Sequence, residues 1–96
     1  MKTLLLLVAF WATLFGDNIL KIATYNVENL FDLEKKGYKY KEYEPNTKSN
    51  WNQKTYKIKL QNIAKVIKDI DADIIALQEI HSLTALKDLR FTLKQH

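Results

Sequence analysis

The sequence predicts an α/β protein whose elements follow the order strand, loop, helix, strand, helix. Three stretches support this prediction: an apolar strand pattern at residues 20–30, a helical period from Asn52 to Ile70, and a second apolar strand at residues 71–80. A strand-helix-strand unit usually joins two parallel strands through a right-handed crossover. We therefore expect both strands to lie parallel in one sheet.

Length and composition allow one small domain at most, because the chain has 96 residues. The formal net charge is +4 and the isoelectric point is about 9.3, and lysine supplies almost all of the positive charge. This mild excess is compatible with a phosphate-rich substrate, but a solvated surface is the preferred explanation. The absence of cysteine excludes disulfides, thiolate metal sites and lipid-modified cysteines.

Residues 1–16 differ from the rest of the chain. One lysine is followed by an apolar run from Leu4 to Phe15 that only Thr13 interrupts. As a helix this run spans about 18 Å, whereas a bilayer core is about 30 Å thick. The pattern predicts a secretory signal peptide and no stable membrane span, so residues 17–96 would be exported to the periplasm or the extracellular space. An uncleaved amphiphilic anchor is the alternative. A helix in the domain core is less favoured, because no polar residues mark a second face on it.

The first strand of the domain carries a polar residue near its carboxyl end. Apolar residues occupy both faces between Leu20 and Leu30, which is typical of a strand covered on both sides. Asn26 continues one of these faces in the period of two. Because strand interiors are poor in asparagine and a buried amide needs partners, Asn26 is a candidate ligand-binding residue.

Residues 32–51 lack a helical period and contain Gly37 and Pro45 among alternating lysines, tyrosines and glutamates. We predict a long loop, with a short hairpin as the alternative; loops of this length within a domain tend to be functional or mobile. Lysine and tyrosine together could contact phosphates and bases. A solvated loop anchored by its aromatic side chains is the preferred interpretation.

The clearest helix follows this loop. Asn52 is the predicted N-cap, and Trp51 and Tyr56 occupy the positions of a hydrophobic staple. Apolar residues then recur at steps of three and four: Tyr56, Leu60, Ile63, Ala64, Ile67 and Ile70. The opposite face carries Lys57, Gln61, Lys65 and Lys68. We interpret this lysine stripe as a solvated face.

The second strand is apolar without alternation from Ile74 to Leu77, which again predicts burial on both faces. It ends in Gln78 and Glu79. A helical pattern of leucines resumes at residues 82–94, with Ser82 as the predicted N-cap.

Asn26 and Glu79 both fall at the carboxyl ends of predicted parallel strands. Ligands bind at this edge in α/β sheets, and an amide with a carboxylate provides an oxygen-rich site that suits a hard cation such as Mg²⁺. The simpler alternatives are that Asn26 caps a turn and that Glu79 reaches solvent.

These same residues carry a family resemblance. KIATYNVENLF followed by ADIIALQEI resembles the two opening strands of the endonuclease/exonuclease/phosphatase superfamily, which includes pancreatic-type deoxyribonuclease. The resemblance covers residues 20–90 and implies the N-terminal β-α-β portion of a four-layer α/β sandwich with mixed sheets. It further implies that Glu79 binds the catalytic divalent metal, Mg²⁺ or another cation, and that Asn26 helps to hold the metal site and the scissile phosphate. Implied substrates are phosphate esters of nucleic acids, inositol phosphates or lipids.

The chain also departs from the family pattern. The family's Asp-x-Asn segment, Ser-Asp-His ending and earlier histidine are absent from this sequence, and His81 is interpreted as a surface residue. An exported chain of about 80 residues without disulfides is also marginal in size. We therefore expect an incomplete N-terminal part of a secreted metal-dependent phosphoesterase or nuclease, inactive alone. The alternatives are a small exported non-catalytic binding module and a non-functional gene remnant.

Overall fold

The computed structural model describes residues 7–14, 18–34 and 40–95. Their elements, in chain order, are β1 (Leu7–Leu14), β2 (Asn18–Leu30), a 3-10 turn (Lys41–Tyr43), α1 (Gln53–Ile70), β3 (Ile74–Ile80) and α2 (Leu83–Lys94). The described strands form one sheet in the order β1-β2-β3. The β1 and β2 strands are antiparallel, and β2 and β3 are parallel. The predicted α/β class and the β-α-β order are confirmed.

The apolar segment near the N-terminus contributes a strand to this sheet. Leu7–Leu14 pairs with β2 in a register that runs from Leu7 opposite Tyr25 to Leu14 opposite Asn18. The sheet therefore has one more strand than the sequence analysis identified. This pairing does not test cleavage or export, so the signal peptide stays a prediction, and residues 1–6 and 15–17 lie outside the described part. None of the helices described is long and apolar enough to cross a membrane.

The α1 helix begins and ends as its local sequence predicts. The Asn52 side chain accepts hydrogen bonds from the backbone amides of Lys54 and Thr55, at 3.0 and 3.1 Å. In return the Thr55 hydroxyl accepts one from the Asn52 amide at 2.9 Å, which completes a capping box. Trp51 packs against Tyr56 with ring centroids 5.7 Å apart, so the hydrophobic staple is confirmed. Ser82 caps α2 in a similar way, accepting from the Ala85 amide.

The core lies between the two helices and one face of β2 and β3. Its buried members come from β2, from the residue before the α1 N-cap and from both helices: Val27, Leu30, Trp51, Tyr56, Leu60, Ile63, Ala64, Ala85 and Leu89. Leu77 and Ile80 of β3 pack against this cluster while remaining half-buried. The apolar stripe of α1 therefore faces the sheet, as its period predicts.

The predicted burial of the second strand on both faces is wrong for the structure described. Ile74 is 54% exposed and Ala76 is also exposed, whereas Ile75 and Leu77 are half-buried. The reason is that β3 is an edge strand of the described sheet and the helices cover only one of its faces. Its other face presents apolar side chains to solvent.

The described part of residues 32–51 agrees with the predicted loop rather than a hairpin. It contains one short 3-10 turn, Lys41–Tyr43, and an isolated bridge between Pro45 and Trp51. Tyr43 anchors the loop, because its ring centroid lies 4.8 Å from that of Phe31 and 5.2 Å from that of Trp51. Residues 35–39, including Gly37, lie outside the described part.

Candidate functional site

Asn26 and Glu79 are in direct contact at the carboxyl ends of β2 and β3. The register places Asn26 opposite Gln78, so the next residue of β3 lies beside the asparagine. The Asn26 Nδ2 donates a hydrogen bond to Glu79 Oε2 at 2.8 Å. The structure thus brings the two predicted site residues together, while their roles in metal binding and catalysis stay predictions.

A bulge in β2 supplies a second donor to the same carboxylate. After the pair Asn26–Gln78 the ladder resumes at Leu30–Ile80, so the residues from Val27 to Asn29 lie opposite Glu79. This irregularity aims the Asn29 backbone amide at Glu79 Oε1, at 3.1 Å. Each carboxylate oxygen of Glu79 therefore accepts one hydrogen bond. Since an ionised carboxylate offers about four acceptor positions, both oxygens keep capacity for a cation.

The bulge requires unusual backbone conformations. Glu28, Asn29 and Glu79 have φ angles of 59°, 56° and 65°, in the left-handed region that non-glycine residues seldom occupy. Each such residue costs about 1 kcal/mol or more and persists where the surrounding structure enforces it. Such strain is concentrated at functional sites in proteins. Strained residues occur in both strands beside the Asn26–Glu79 contact. These ends of β2 and β3, which we call the Asn26–Glu79 corner, therefore form a candidate functional site.

Asn26 itself stabilises the bulge. Its Oδ1 accepts a hydrogen bond from the Glu28 backbone amide at 2.8 Å, which is an Asx turn. The amide group of Asn26 is thus used at both ends, with its nitrogen on Glu79 and its oxygen on Glu28. Asn26 therefore caps a turn, as the simpler alternative predicts, and it also contacts Glu79; its role in ligand binding stays a prediction.

Lys59, a residue of α1 that was not predicted as a site residue, contacts this bulge. Its Nζ donates to the carbonyl oxygens of Glu28 and of Asn29, the latter at 3.1 Å. Burial lowers the pKa of Lys59, and the charges of Glu28 and Glu79 partly oppose that shift. The helical period could have identified Lys59 as a residue that faces the sheet, because it lies three residues after Tyr56 and four before Ile63, within the apolar stripe.

The interpretation of His81 as a surface residue is wrong. Its ring stacks on Phe31, with centroids 4.0 Å apart and planes 4° from parallel, and the residue is half-buried. Its Nε2 lies 2.9 Å from Asn29 Oδ1, within hydrogen-bond distance. His81 therefore supports the bulge from the β3 side. His96 lies outside the described part.

Asp32 connects the end of β2 to the start of α2. This carboxylate is buried, and its Oδ2 accepts a hydrogen bond from the Ser82 hydroxyl at 2.6 Å. Its Oδ1 accepts from the Glu34 backbone amide at 2.8 Å. Because Asp32 is buried and binds Ser82, the N-cap residue of α2, we assign it a role in the fold.

The donor set at the strand ends fits some cations and not others. Within residues 7–14, 18–34 and 40–95, no three His, Cys, Asp or Glu side chains converge on one point. Mg²⁺ nevertheless commonly keeps several waters and binds through one or two carboxylates together with substrate phosphate. A single oriented carboxylate, Glu79, fits that mode of binding. It does not fit a cation that needs a full cage of protein ligands.

Comparison with family sequence profiles matches residues 21–95 to the Endonuclease/Exonuclease/phosphatase family. The match spans both strands of the β-α-β unit, both helices and the Asn26–Glu79 corner. Searches of curated proteins and of solved structures found no match. The likeness to pancreatic deoxyribonuclease in particular stays a prediction. Because the matched region covers most of the sequence, the chain belongs to the endonuclease/exonuclease/phosphatase family.

Proposed function

We propose that this chain provides the metal-binding corner of a divalent-metal-dependent phosphoesterase or nuclease. Glu79 binds the cation, Mg²⁺ by preference, and Asn26 orients the Glu79 carboxylate and the scissile phosphate. The observation that carries the proposal is the 2.8 Å hydrogen bond from Asn26 to Glu79 at the carboxyl edge of parallel strands. Family membership supports the same conclusion, since the family acts on phosphate esters or nucleic acids.

The residues of the corner have separable tasks. Two hydrogen bonds, from Asn26 Nδ2 and from the Asn29 amide, hold the plane of the Glu79 carboxylate. A preorganised ligand of this kind loses little conformational entropy when a cation binds. The cation, when bound, supplies charge stabilisation to the phosphoryl oxygens.

The proposal assigns no general base to this chain. Hydrolysis needs a group positioned to take a proton from water. His81 Nε2 is already within hydrogen-bond distance of Asn29 Oδ1, and the sequence contains neither an Asp-x-Asn nor a Ser-Asp-His segment. We therefore expect the 96-residue chain to bind a divalent cation without hydrolysing DNA or simple phosphodiesters.

Titration of Mn²⁺ onto the full chain, followed by calorimetry, tests the metal site. Glu79→Gln keeps the size of the side chain and removes its charge, so Mn²⁺ affinity should fall by at least about tenfold, the scale on which metal-site residues act. Glu42→Gln is the matched control, because Glu42 is exposed on the 3-10 turn. Equal affinities for Glu79→Gln and the unsubstituted chain would reject the site.

A non-catalytic binding module is the second candidate, favoured because no group of three His, Cys, Asp or Glu side chains converges within the described residues. The two candidates differ in turnover. Release of nitrophenol from a bis-nitrophenyl phosphodiester in the presence of Mg²⁺, abolished by Glu79→Gln, would establish an enzyme and reveal a base elsewhere in the chain. Mg²⁺-dependent binding of the same compound without turnover would support the module.

Export is a further part of the proposal. It rests on the lysine-led apolar run of residues 1–16. Mass spectrometry of the N-terminus of the natural product is the test, with a start near residue 17 expected. A product beginning at Met1 in a cytoplasmic fraction would contradict export, and Met1 retained in a membrane fraction would support the uncleaved anchor.

A further inference from the structure

The left-handed pair Glu28–Asn29 has a partner in helix α1 that lies far from it in sequence. Asn29 donates one of the two hydrogen bonds that orient Glu79, and it does so because this pair makes a left-handed turn within the bulge of β2. The carbonyl oxygens of Glu28 and Asn29 both accept hydrogen bonds from Lys59 Nζ. Lys59 therefore binds the carbonyl oxygens of the turn, whereas Glu79 binds its Asn29 amide.

The environment of Lys59 is costly for an ammonium group unless the carbonyls hold it. The Nζ atom lies 5.3 Å from the ring centroid of Tyr43 and 6.0 Å from that of Trp51, and the residue is only partly exposed. A charge removed from water is stabilised only by good hydrogen bonds or by ring faces, and here both are present. An ammonium group has three donors, which suits two converging carbonyl oxygens.

The other supports of the turn act through different atoms. Asn26 Oδ1 accepts from the Glu28 amide, and His81 Nε2 pairs with Asn29 Oδ1. Neither of these contacts satisfies the two carbonyl oxygens. Among the described contacts, Lys59 is the side chain that binds both carbonyl oxygens. Its loss should therefore make the turn more mobile, even with Asn26 and His81 in place.

We propose that Lys59 is a positioning residue for the candidate metal site. By holding the carbonyls of Glu28 and Asn29, it fixes the left-handed turn that presents the Asn29 amide to Glu79. The proposal rests on the proposed function for its consequence in metal binding, whereas its geometric part stands on the contacts alone. The competing explanation is that Lys59 serves only to pack its aliphatic stem against the aromatic cluster.

Hydrogen exchange of backbone amides in the metal-free full chain separates these two roles. Lys59→Met keeps an unbranched apolar stem and removes all three donors. We expect the Asn29 amide to exchange at least about tenfold faster, while the amide of Ala64 in the same helix stays as protected as before. Lys65→Met is the matched control, since Lys65 is exposed on α1 and pairs only with Asp69 among the described salt bridges. Unchanged exchange at Asn29 in Lys59→Met would overturn the proposal.

A second measurement needs no substitution and so does not depend on a variant folding. In the unsubstituted chain, the Lys59 ammonium protons should exchange slowly enough to give an NMR correlation with contacts to protons of Glu28 and Asn29. The exposed Lys65 ammonium should give none. Absence of a Lys59 signal under conditions where the Ala64 amide is protected would also overturn the proposal.

The consequence for metal is measured separately. Lys59→Met should weaken Mn²⁺ binding by about 10- to 100-fold, the range typical of residues that orient a metal ligand, and Lys59→Arg should recover part of this loss. If Glu79→Gln abolishes Mn²⁺ binding and Lys59→Met binds Mn²⁺ with normal affinity, the positioning role of Lys59 is overturned and the metal site stands. If Glu79→Gln left binding intact, the proposed function would fail instead, and the Asn29 exchange rates would still report on the turn.

Discussion

The side chain of Asn26 donates to Oε2 of Glu79 at 2.8 Å, although the two residues are 53 positions apart in the sequence. The parallel register of β2 and β3 explains this contact, because it aligns the ends of two strands that an 18-residue helix separates. Asn26 also accepts from the Glu28 amide at 2.8 Å. One side chain thus fixes both the carboxylate and the bulge beside it.

Asn26→Ala removes both of these hydrogen bonds. We expect Mn²⁺ affinity to fall by about tenfold or more, since the Glu79 carboxylate loses one of its two orienting donors. The free energy of unfolding should fall by about 1–2 kcal/mol, because two partly exposed hydrogen bonds are lost. Calorimetry and urea unfolding measure the two effects. Asn62→Ala, an exposed position on α1, is the control, and equal losses in both variants would contradict the assignment.

The N-cap of α1 offers a prediction about stability alone. Asn52→Ala leaves the Lys54 and Thr55 amides without their acceptor, which should cost about 1 kcal/mol. Mn²⁺ affinity should change little, because α1 reaches the site through Lys59 near its second turn. Urea unfolding followed by far-ultraviolet circular dichroism provides the measurement. A loss below about 0.3 kcal/mol would show that the cap is dispensable.

Tyr56 should make the free energy of unfolding depend on pH in the alkaline range. Burial, followed by its hydrogen bond to Asp88 and by the charges of Asp88 and Asp32, raises the pKa of Tyr56 above its ordinary value. Below about pH 10 the tyrosine is protonated in both the folded and unfolded states. Above that pH the unfolded chain releases the proton first, so the unfolding free energy falls as pH rises.

Tyr56→Phe tests this dependence. The variant loses the 2.6 Å hydrogen bond to Asp88 and should be less stable at neutral pH. Its unfolding free energy should then decline less steeply than that of the unsubstituted chain between pH 9 and pH 11. Parallel declines in the two proteins would show that Tyr56 does not titrate in this way.

Removal of residues 1–16 tests the contribution of β1. In the full chain, β1 pairs with β2 from Asn18 to Tyr25. Without it, the sheet in the described part of the chain keeps two parallel strands with both edges open, and sheets of two strands are seldom stable alone. We expect residues 17–96 to show no cooperative thermal unfolding and to aggregate more readily than the full chain. A sharp melting transition with dispersed amide NMR signals would contradict this expectation.

Several features of the fold could be predicted from local sequence. The boundaries of α1 follow from the Asn52 cap and from the apolar stripe, because capping and helical period involve residues three or four apart. The proximity of Asn26 and Glu79 also followed, since the carboxyl ends of parallel strands share one edge. The predicted burial of β3 on both faces was wrong. Ile74 is exposed because the described helices cover only one face of the sheet.

The sequence by itself determined the β-α-β order, the helix caps and the polar residues that end the two strands. Only the tertiary structure decided the pairing of Leu7–Leu14 with β2, because an apolar run suits a leader and an antiparallel strand equally well. It also decided the left-handed turn at Glu28–Asn29 and its contact with Lys59, residues that are about 30 positions apart. The physical reason is that the conformational cost of such a turn is offset by hydrogen bonds from distant side chains, and these bonds exist only once the helix has packed on the sheet.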